Sequence, residues 1–253
     1  MTTAAPASDV VPVPDETWVD KHKRIWREKD ILREYYEREY FKRVVDEIPT
    51  GRTLEVGAGP GFFAEFWRSD VVSDITPAPH VDQVVDVHAM PFSSGEFDAV
   101  VGVDVVHHFA SPLRAFSEIS RVLKPGGKLI LIEPWTGPLG FLFCRYFHHE
   151  DCFSIADKWG SVFPEGKDPM VGNATIPKTY FHDNAEELEK RTGLRTVKLK
   201  TFSFFGYVST GGFTKWSLPK PIARFVFAME RLPPQFVWRQ CAVKSLIVAE
   251  KVA

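Results

Sequence analysis

The chain has 253 residues, 44% of them hydrophobic and 25% charged, a length and balance that suit one larger single-core domain with room for insertions. Its 31 basic and 33 acidic residues leave a formal net charge of −2, so there is no broad electrostatic case for a nucleic-acid or anionic-membrane partner. Cys144, Cys152 and Cys241 are too few and too scattered for a disulfide framework, no run approaches the length of a membrane span, and no basic-then-apolar secretion signal is present, so the expected location is the cytoplasm.

Residues 1–15 lack periodicity and read as a disordered tail. Over 16–50, Trp18, Ile25, Leu32, Tyr36 and Tyr40, then Val44, Val45 and Ile48, recur at three- and four-residue steps. That spacing predicts a cover of one or two amphipathic helices, ended by Pro49-Thr50-Gly51. The remainder, 51–253, reads as one catalytic-sized domain. Thr53-Leu54-Glu55-Val56 forms a short apolar strand, broken by Gly57, Gly59 and Gly61 and resumed by a helix carrying Phe62, Phe63, Phe66 and Trp67. Strand, tight glycine turn and helix make a crevice at the carboxyl ends of an open α/β sheet, where a Cβ would obstruct both the turn and a ligand. Val71–Asp74 reads as a second strand ending in an acid able to accept hydrogen bonds from two ribose hydroxyls.

Ala99–Val103 is nearly all apolar, as a strand buried on both faces should be, and it runs into Asp104-Val105-Val106-His107-His108 at the sheet's carboxyl edge. Ser111-Pro112 predicts an N-cap and first helical position for a helix whose buried stripe is Leu113, Phe116, Ile119, Val122 and Leu123. Leu129–Glu133 is a fifth strand, Asp183–Thr192 a helix with a capping-box-like start and Gly193 as C-cap, and Thr196–Phe205 and Val243–Lys251 are strands six and seven. Two long insertions, 134–182 and 206–242, are rich in aromatic residues and are expected to cap an apolar substrate pocket.

The pattern Glu55-x-Gly57-x-Gly59-x-Gly61 differs from the dinucleotide fingerprint, whose third glycine would fall at Phe62. It resembles the glycine motif of the class I S-adenosylmethionine-dependent methyltransferases. Asp86-Val87-His88-Ala89-Met90-Pro91-Phe92 with Phe97-Asp98, and Arg121-Val122-Leu123-Lys124-Pro125-Gly126-Gly127-Lys128, also resemble motifs of that superfamily, in the right order. The resemblance covers Thr53 to Glu133. It implies an α/β fold with a seven-stranded, Rossmann-like, mostly parallel sheet and N-terminal helices, to which this chain adds the two capping insertions. The implied cofactor is S-adenosylmethionine, with S-adenosylhomocysteine as product. By the same resemblance Glu55 helps hold the methionine amino group over Gly57, Ala58, Gly59 and Gly61. Asp74 and Ile75 meet the ribose, Asp86 the adenine amino group, and the backbone of Val87 and His88 the ring edge, with Asp104 and Val105 beside them. One departure stands out: only about eleven residues, Pro77 and Pro79 among them, separate Asp74 from Asp86, so the helix usual at this point must be cut to a turn or lost.

Methyl transfer is an in-line displacement in which the protein aligns a nucleophile and excludes water, and a hydroxyl acceptor needs a base. His107 and His108 lie closest to the methyl by topology, and His148-His149-Glu150-Asp151-Cys152 is the second candidate group. Adjacent histidines point to different faces and no second ligand group follows, so no metal is expected. Neither the Asn/Asp-Pro-Pro-aromatic tetrad of nucleic-acid amino-methyltransferases nor the paired glutamates of protein arginine methyltransferases is present. The expected acceptor is a small molecule, most simply a hydroxyl of a sugar-containing or other secondary metabolite. The alternatives are a catalytically inactive SAM-binding protein and a methyltransferase for a lipid-linked acceptor. For the last, Phe213, Trp216, Leu218, Ile222, Phe225, Val226 and Phe227 beside Lys215, Lys220 and Arg224 would touch a membrane.

Overall fold

The computed structural model describes residues 17–147, 152–164 and 166–252. Apolar segments pair into one sheet of seven strands: β1 (Thr53–Glu55), β2 (Val71–Asp74), β3 (Gln83–Val84), β4 (Phe97–Val103), β5 (Leu123–Pro134), β6 (Leu194–Phe202) and β7 (Lys244–Lys251). Their order is β3-β2-β1-β4-β5-β7-β6, parallel except for β7, which runs antiparallel to both neighbours. This is the Rossmann-like architecture expected. The central pair β4 and β5 is apolar on both faces because helices cover both: Val100, Val101, Leu129 and Ile130 are fully buried. Strand order reverses between β1 and β4, which opens a crevice at their carboxyl ends.

One sheet face is covered by the N-terminal helices α1 (Trp18–Glu28), α2 (Asp30–Tyr35) and α3 (Lys42–Val45), the last two joined by a π-helical turn, Tyr36–Phe41. Leu32, Tyr35, Tyr40, Phe41 and Val44 from this unit pack with Ala99, Val101, Ile130 and Ile132. The short α4 (Phe62–Phe66) follows the glycine loop. Phe62 stacks on Trp26 of α1 with ring centroids 4.2 Å apart and on Phe213 at 5.8 Å, so the N-terminal cover meets the second insertion directly beside Gly61. The opposite face carries α5 (Pro112–Val122) and, packed beside it, α8 (Ala185–Thr192).

Both insertions are helical in part. The first holds α6 (Pro138–Phe147) and α7 (Ile176–Lys178), and its Ile155, Phe163, Ile176 and Tyr180 join the α5 side of the core. The second holds α9 (Phe205–Thr210), α10 (Lys220–Met229) and α11 (Gln235–Cys241). Lys29, between α1 and α2, straps it down by donating to the carbonyls of Gly212, Thr214 and Trp216.

Several local expectations change. Ser111 precedes α5 as predicted, but its hydroxyl pairs with Ser161 Oγ at 2.7 Å rather than capping the helix. The capping box at Asp183 does not form. A π-helical turn at Thr179–Asp183 leads into α8, the Asp183 carboxylate takes Lys178 and His182, and Asn184 occupies the N-cap. Strand six starts two residues earlier than predicted and stops at Phe202, because Ser203 takes the left-handed backbone (φ 65°) and α9 begins at Phe205. Between β2 and β3 the chain makes a turn, Val81 N–H donating to Ala78 O, and no helix, as the two prolines require.

Replacing Trp26 by alanine removes a buried indole stacked on the first helical residue after the loop. The expected cost is about 3–5 kcal/mol in urea unfolding, against roughly 0.5 kcal/mol or less for Phe225→Ala at an exposed site. A loss below about 1 kcal/mol for Trp26→Ala would show that α1 is not docked on the loop.

Candidate active site

Three glycines at alternate positions all take positive φ: 64° at Gly57, 51° at Gly59 and 86° at Gly61. Two have a second reason to be glycine. A Cβ on Gly57 would overlap Cγ2 of Val105, and one on Gly61 would lie 2.7 Å from the His80 ring. His80 also holds the loop through a 3.0 Å hydrogen bond between Nε2 and Gly59 O. Asp74 faces the same loop: Oδ2 accepts from Gly59 N–H (2.7 Å) and Oδ1 from Thr76 N–H (2.8 Å). Ala58 N–H donates to Ser73 O, while Ile75 projects with half its surface exposed.

Glu55, at the end of β1, is 3% exposed and its Oε2 has no hydrogen-bond partner within the protein. Burial is the main reason that its pKa is pushed up to about 8. Arg68 opposes that rise, and Asp74 and Asp82 add to it. A neutral carboxyl with an orphaned oxygen is costly in a strand interior unless something else meets it. The residues therefore fit the implied cofactor: a cationic ammonium would satisfy that oxygen, and the glycine cradle has room only where no Cβ stands.

Two residues past β3, Asp86 Oδ1 accepts from His88 N–H (2.9 Å) and from His88 Nδ1 (2.7 Å), while His88 Nε2 accepts from Ser111 N–H at 3.2 Å. Partial burial raises the Asp86 pKa, but the hydrogen bonds from His88 outweigh it and the net shift is downward. The His88 amide, expected at an adenine edge, is thus taken by Asp86 in an Asx turn, and its ring is a strut between β3 and α5. Val87 packs against the core.

After β4, Asp104 stands at φ 55°, an uncommon conformation for a residue with a Cβ. Its carboxylate pairs with Lys244 at the start of β7. Glu133, fully buried near the end of β5, gathers three donors: Val105 N–H (2.9 Å) and Val106 N–H (2.7 Å) on Oε1, and His107 Nδ1 (2.7 Å) on Oε2. A carboxylate accepts and does not donate, so Nδ1 carries the hydrogen and Nε2 is the basic nitrogen of His107. His107 is 1% exposed, its ring lies 4.1 Å from that of His108, and the backbone of the first insertion closes over both: a Cβ on Gly172 would reach 2.9 Å from His108 Nδ1, and Asn173 N–H donates to His107 O. Asp104, His107 and Glu133 place one ligand atom each within 4.8 Å of one another, but the Lys244 ammonium already supplies a positive charge to this group. His148 and His149 lie outside the described residues.

The structure thus brings Glu55, Gly57, Ala58, Gly59, Gly61 and Asp74 together around one loop, and sets Val105 between that loop and the cluster at His107. Sequence reasoning overlooked His80, Glu133 and Lys244. Glu133 carried a signal, as the acid that closes an otherwise apolar strand. The other two become visible only when the chain returns from a distance.

Residues 54–131 match the family model described as a methyltransferase domain. An uncharacterized methyltransferase of Mycobacterium sp. (strain KMS) is 32% identical over 116 residues, covering 40% of this chain and 46% of the relative. A demethylmenaquinone methyltransferase of Renibacterium salmoninarum is 31% identical over 163 residues, covering 56% and 64%. The match therefore spans about half the length of the mycobacterial relative. Among solved structures, a SAM-dependent methyltransferase from Thermotoga maritima superposes with a TM-score of 0.53 at 15% identity, covering 93% of this chain and all of that one, which establishes likeness of fold.

The Glu55 environment predicts a pH dependence of stability. Between about pH 4.5, where the carboxyl ionises in the unfolded chain, and about pH 8, where it ionises in the native protein, the native state holds a proton that the unfolded state has lost. Native Glu55 therefore loses stability as pH rises through that window, by up to about 1.4 kcal/mol per unit, and the slope vanishes above it. Urea unfolding of Glu55→Gln should lack this component, and identical slopes in variant and wild type would contradict it.

Proposed function

We propose that this chain is a member of the class I S-adenosylmethionine-dependent methyltransferases, a reading supported by the match of residues 54–131 to a methyltransferase domain, and that it moves a methyl group from that cofactor to a hydroxyl of a small-molecule acceptor. The observation that carries cofactor binding is the orphaned, neutral Glu55 carboxyl beside three positive-φ glycines. Glu55 would hold the amino group and the backbone of Gly57, Ala58 and Gly59 the methionine. Asp74 would hold the ribose with the lone pairs its two loop amides leave, and Asp86 the adenine. Bound there, the sulfonium supplies an electrophilic methyl and needs no further activation.

A small-molecule acceptor is supported by the Renibacterium relative, whose name gives demethylmenaquinone as its substrate. It is supported also by the absence of the motifs that mark enzymes of nucleic acids and arginine side chains. A hydroxyl is supported by His107. An imidazole pinned through Nδ1 by a buried carboxylate is how a base is held in one tautomer with Nε2 as acceptor. Asp104 and Lys244 at the same edge offer polar anchors for the acceptor. Gly172 and Asn173 close the site from the first insertion, which would keep water from the methyl.

Release of S-adenosylhomocysteine on incubation with a panel of hydroxylated small molecules tests the reaction. His107→Gln should lower kcat by about 10²–10⁴-fold with cofactor affinity unchanged. Glu133→Gln should lower kcat as well, because the carboxylate that accepts from Nδ1 holds the imidazole in the tautomer and orientation the base needs. Turnover unaltered by either change would remove the histidine base, and no turnover with any acceptor despite cofactor binding would favour a binding protein.

A further inference from the structure

Helix α10 is apolar on two faces, and only one of them is covered. Ala223 and Phe227 are buried against the N-terminal helices, whereas Ile222, Phe225 and Met229, at i, i+3 and i+7, all point to solvent, Phe225 with 65% of its surface exposed. Helix α6 repeats the arrangement. Gly140 sets it against Ala242 and Trp135, and Leu139, Leu142 and Tyr146, again at i, i+3 and i+7, are left outside, Tyr146 67% exposed. Helix α11 touches α6 and presents Phe236, 71% exposed, one turn from the exposed Arg239. α6 and α11 stand at the same end of the sheet, where Pro134 of β5 pairs with Lys244 at the start of β7, and α10 packs on α9, which leaves β6 at that end, where Phe202 pairs with the same Lys244.

The charge on these helices is one-sided. Together α6, α10 and α11 contain four basic residues, Arg145, Lys220, Arg224 and Arg239, and no acid, in a chain with 33 acidic residues. Lys220 and Arg224 pair with Asp30 and Glu34 on exposed surface, where such pairs are weak and can exchange partners. Arg239 on α11 and the exposed Lys215, on the turn that leads from α9 into α10, take part in no ion pair among the described residues. None of the described helices is long and apolar enough to cross a bilayer. The sequence-based membrane face is thereby redrawn: Phe213 and Phe227 turn inward, and α6 and Phe236 replace them.

We propose that α6, α10 and α11 form an interfacial surface that seats on an anionic lipid bilayer, its apolar side chains entering the acyl boundary and its basic residues meeting phosphates. A second copy of this chain fits less well, because an isologous contact would press two cationic faces together. Docking is independent of the methyl-transfer reading, since it requires neither cofactor nor acceptor.

The test is co-sedimentation of the full chain with vesicles of phosphatidylcholine alone or mixed with phosphatidylglycerol, without cofactor. Binding is expected to the mixed vesicles and to weaken with added salt. Phe225→Ser combined with Phe236→Ser should lower affinity by roughly tenfold or more with the melting temperature retained, and Lys215→Glu with Arg239→Glu should abolish the preference for anionic lipid. Equal sedimentation of wild type and the double serine variant, or no binding to anionic vesicles, would overturn the proposal. So would a dimer in light scattering that the serine variant dissolves.

Discussion

A single buried carboxyl organises the candidate site. Glu55 ends β1 with one oxygen that no protein group answers, and burial holds it neutral up to about pH 8. An unmet polar atom in a strand buried on both faces works against folding, so its presence points to a partner outside the chain. The loop that follows is shaped for the same purpose. Its three left-handed glycines bring backbone, rather than side chains, to the crevice, and Asp74 and His80 hold that backbone in place.

The second polar centre, around Glu133, is tied to the first through Val105. That residue's N–H donates to Glu133, its Cγ2 fills the space a Cβ on Gly57 would need, and its Cγ1 does the same at Gly102. The loop and the His107 cluster therefore cannot shift independently. The buried hydrogen bonds at Glu133 fix the register of the segment after β4, and the strained Asp104 turns that segment toward Lys244. The insertions complete the enclosure from two sides. Gly172 and Asn173 lie against the histidines, and Phe213 with Trp26 brackets Phe62.

The sheet and the loop were legible because their causes are local. Alternate glycines, an apolar run of strand length, an acid at or just past the ends of β1, β2 and β4, and two prolines where a helix would stand all act within a few residues. The Glu133–His107 and Asp104–Lys244 pairs were not legible, since their partners sit 26 and 140 positions apart and meet only through the β4–β5–β7 order. Local signals also misled where a tertiary partner competed. Ser111 gave up its cap for Ser161, and Asp183 gave up its capping box for Lys178. The apolar stretch 213–227 divides in the fold for a similar reason, Phe213 and Phe227 packing inward while Ile222 and Phe225 stay exposed, as hydrophobicity alone does not tell the buried face of α10 from its exposed one.

The most direct measurement is calorimetry of S-adenosylhomocysteine binding near pH 7 in two buffers of different ionisation enthalpy. If an ammonium group meets Glu55, the carboxyl must ionise on binding, and about one proton should pass to the buffer, with Glu55→Gln abolishing that release. No heat in either buffer, or a heat that does not change between them and is unaltered by Glu55→Gln, would contradict the assignment of this loop and its carboxyl to the cofactor.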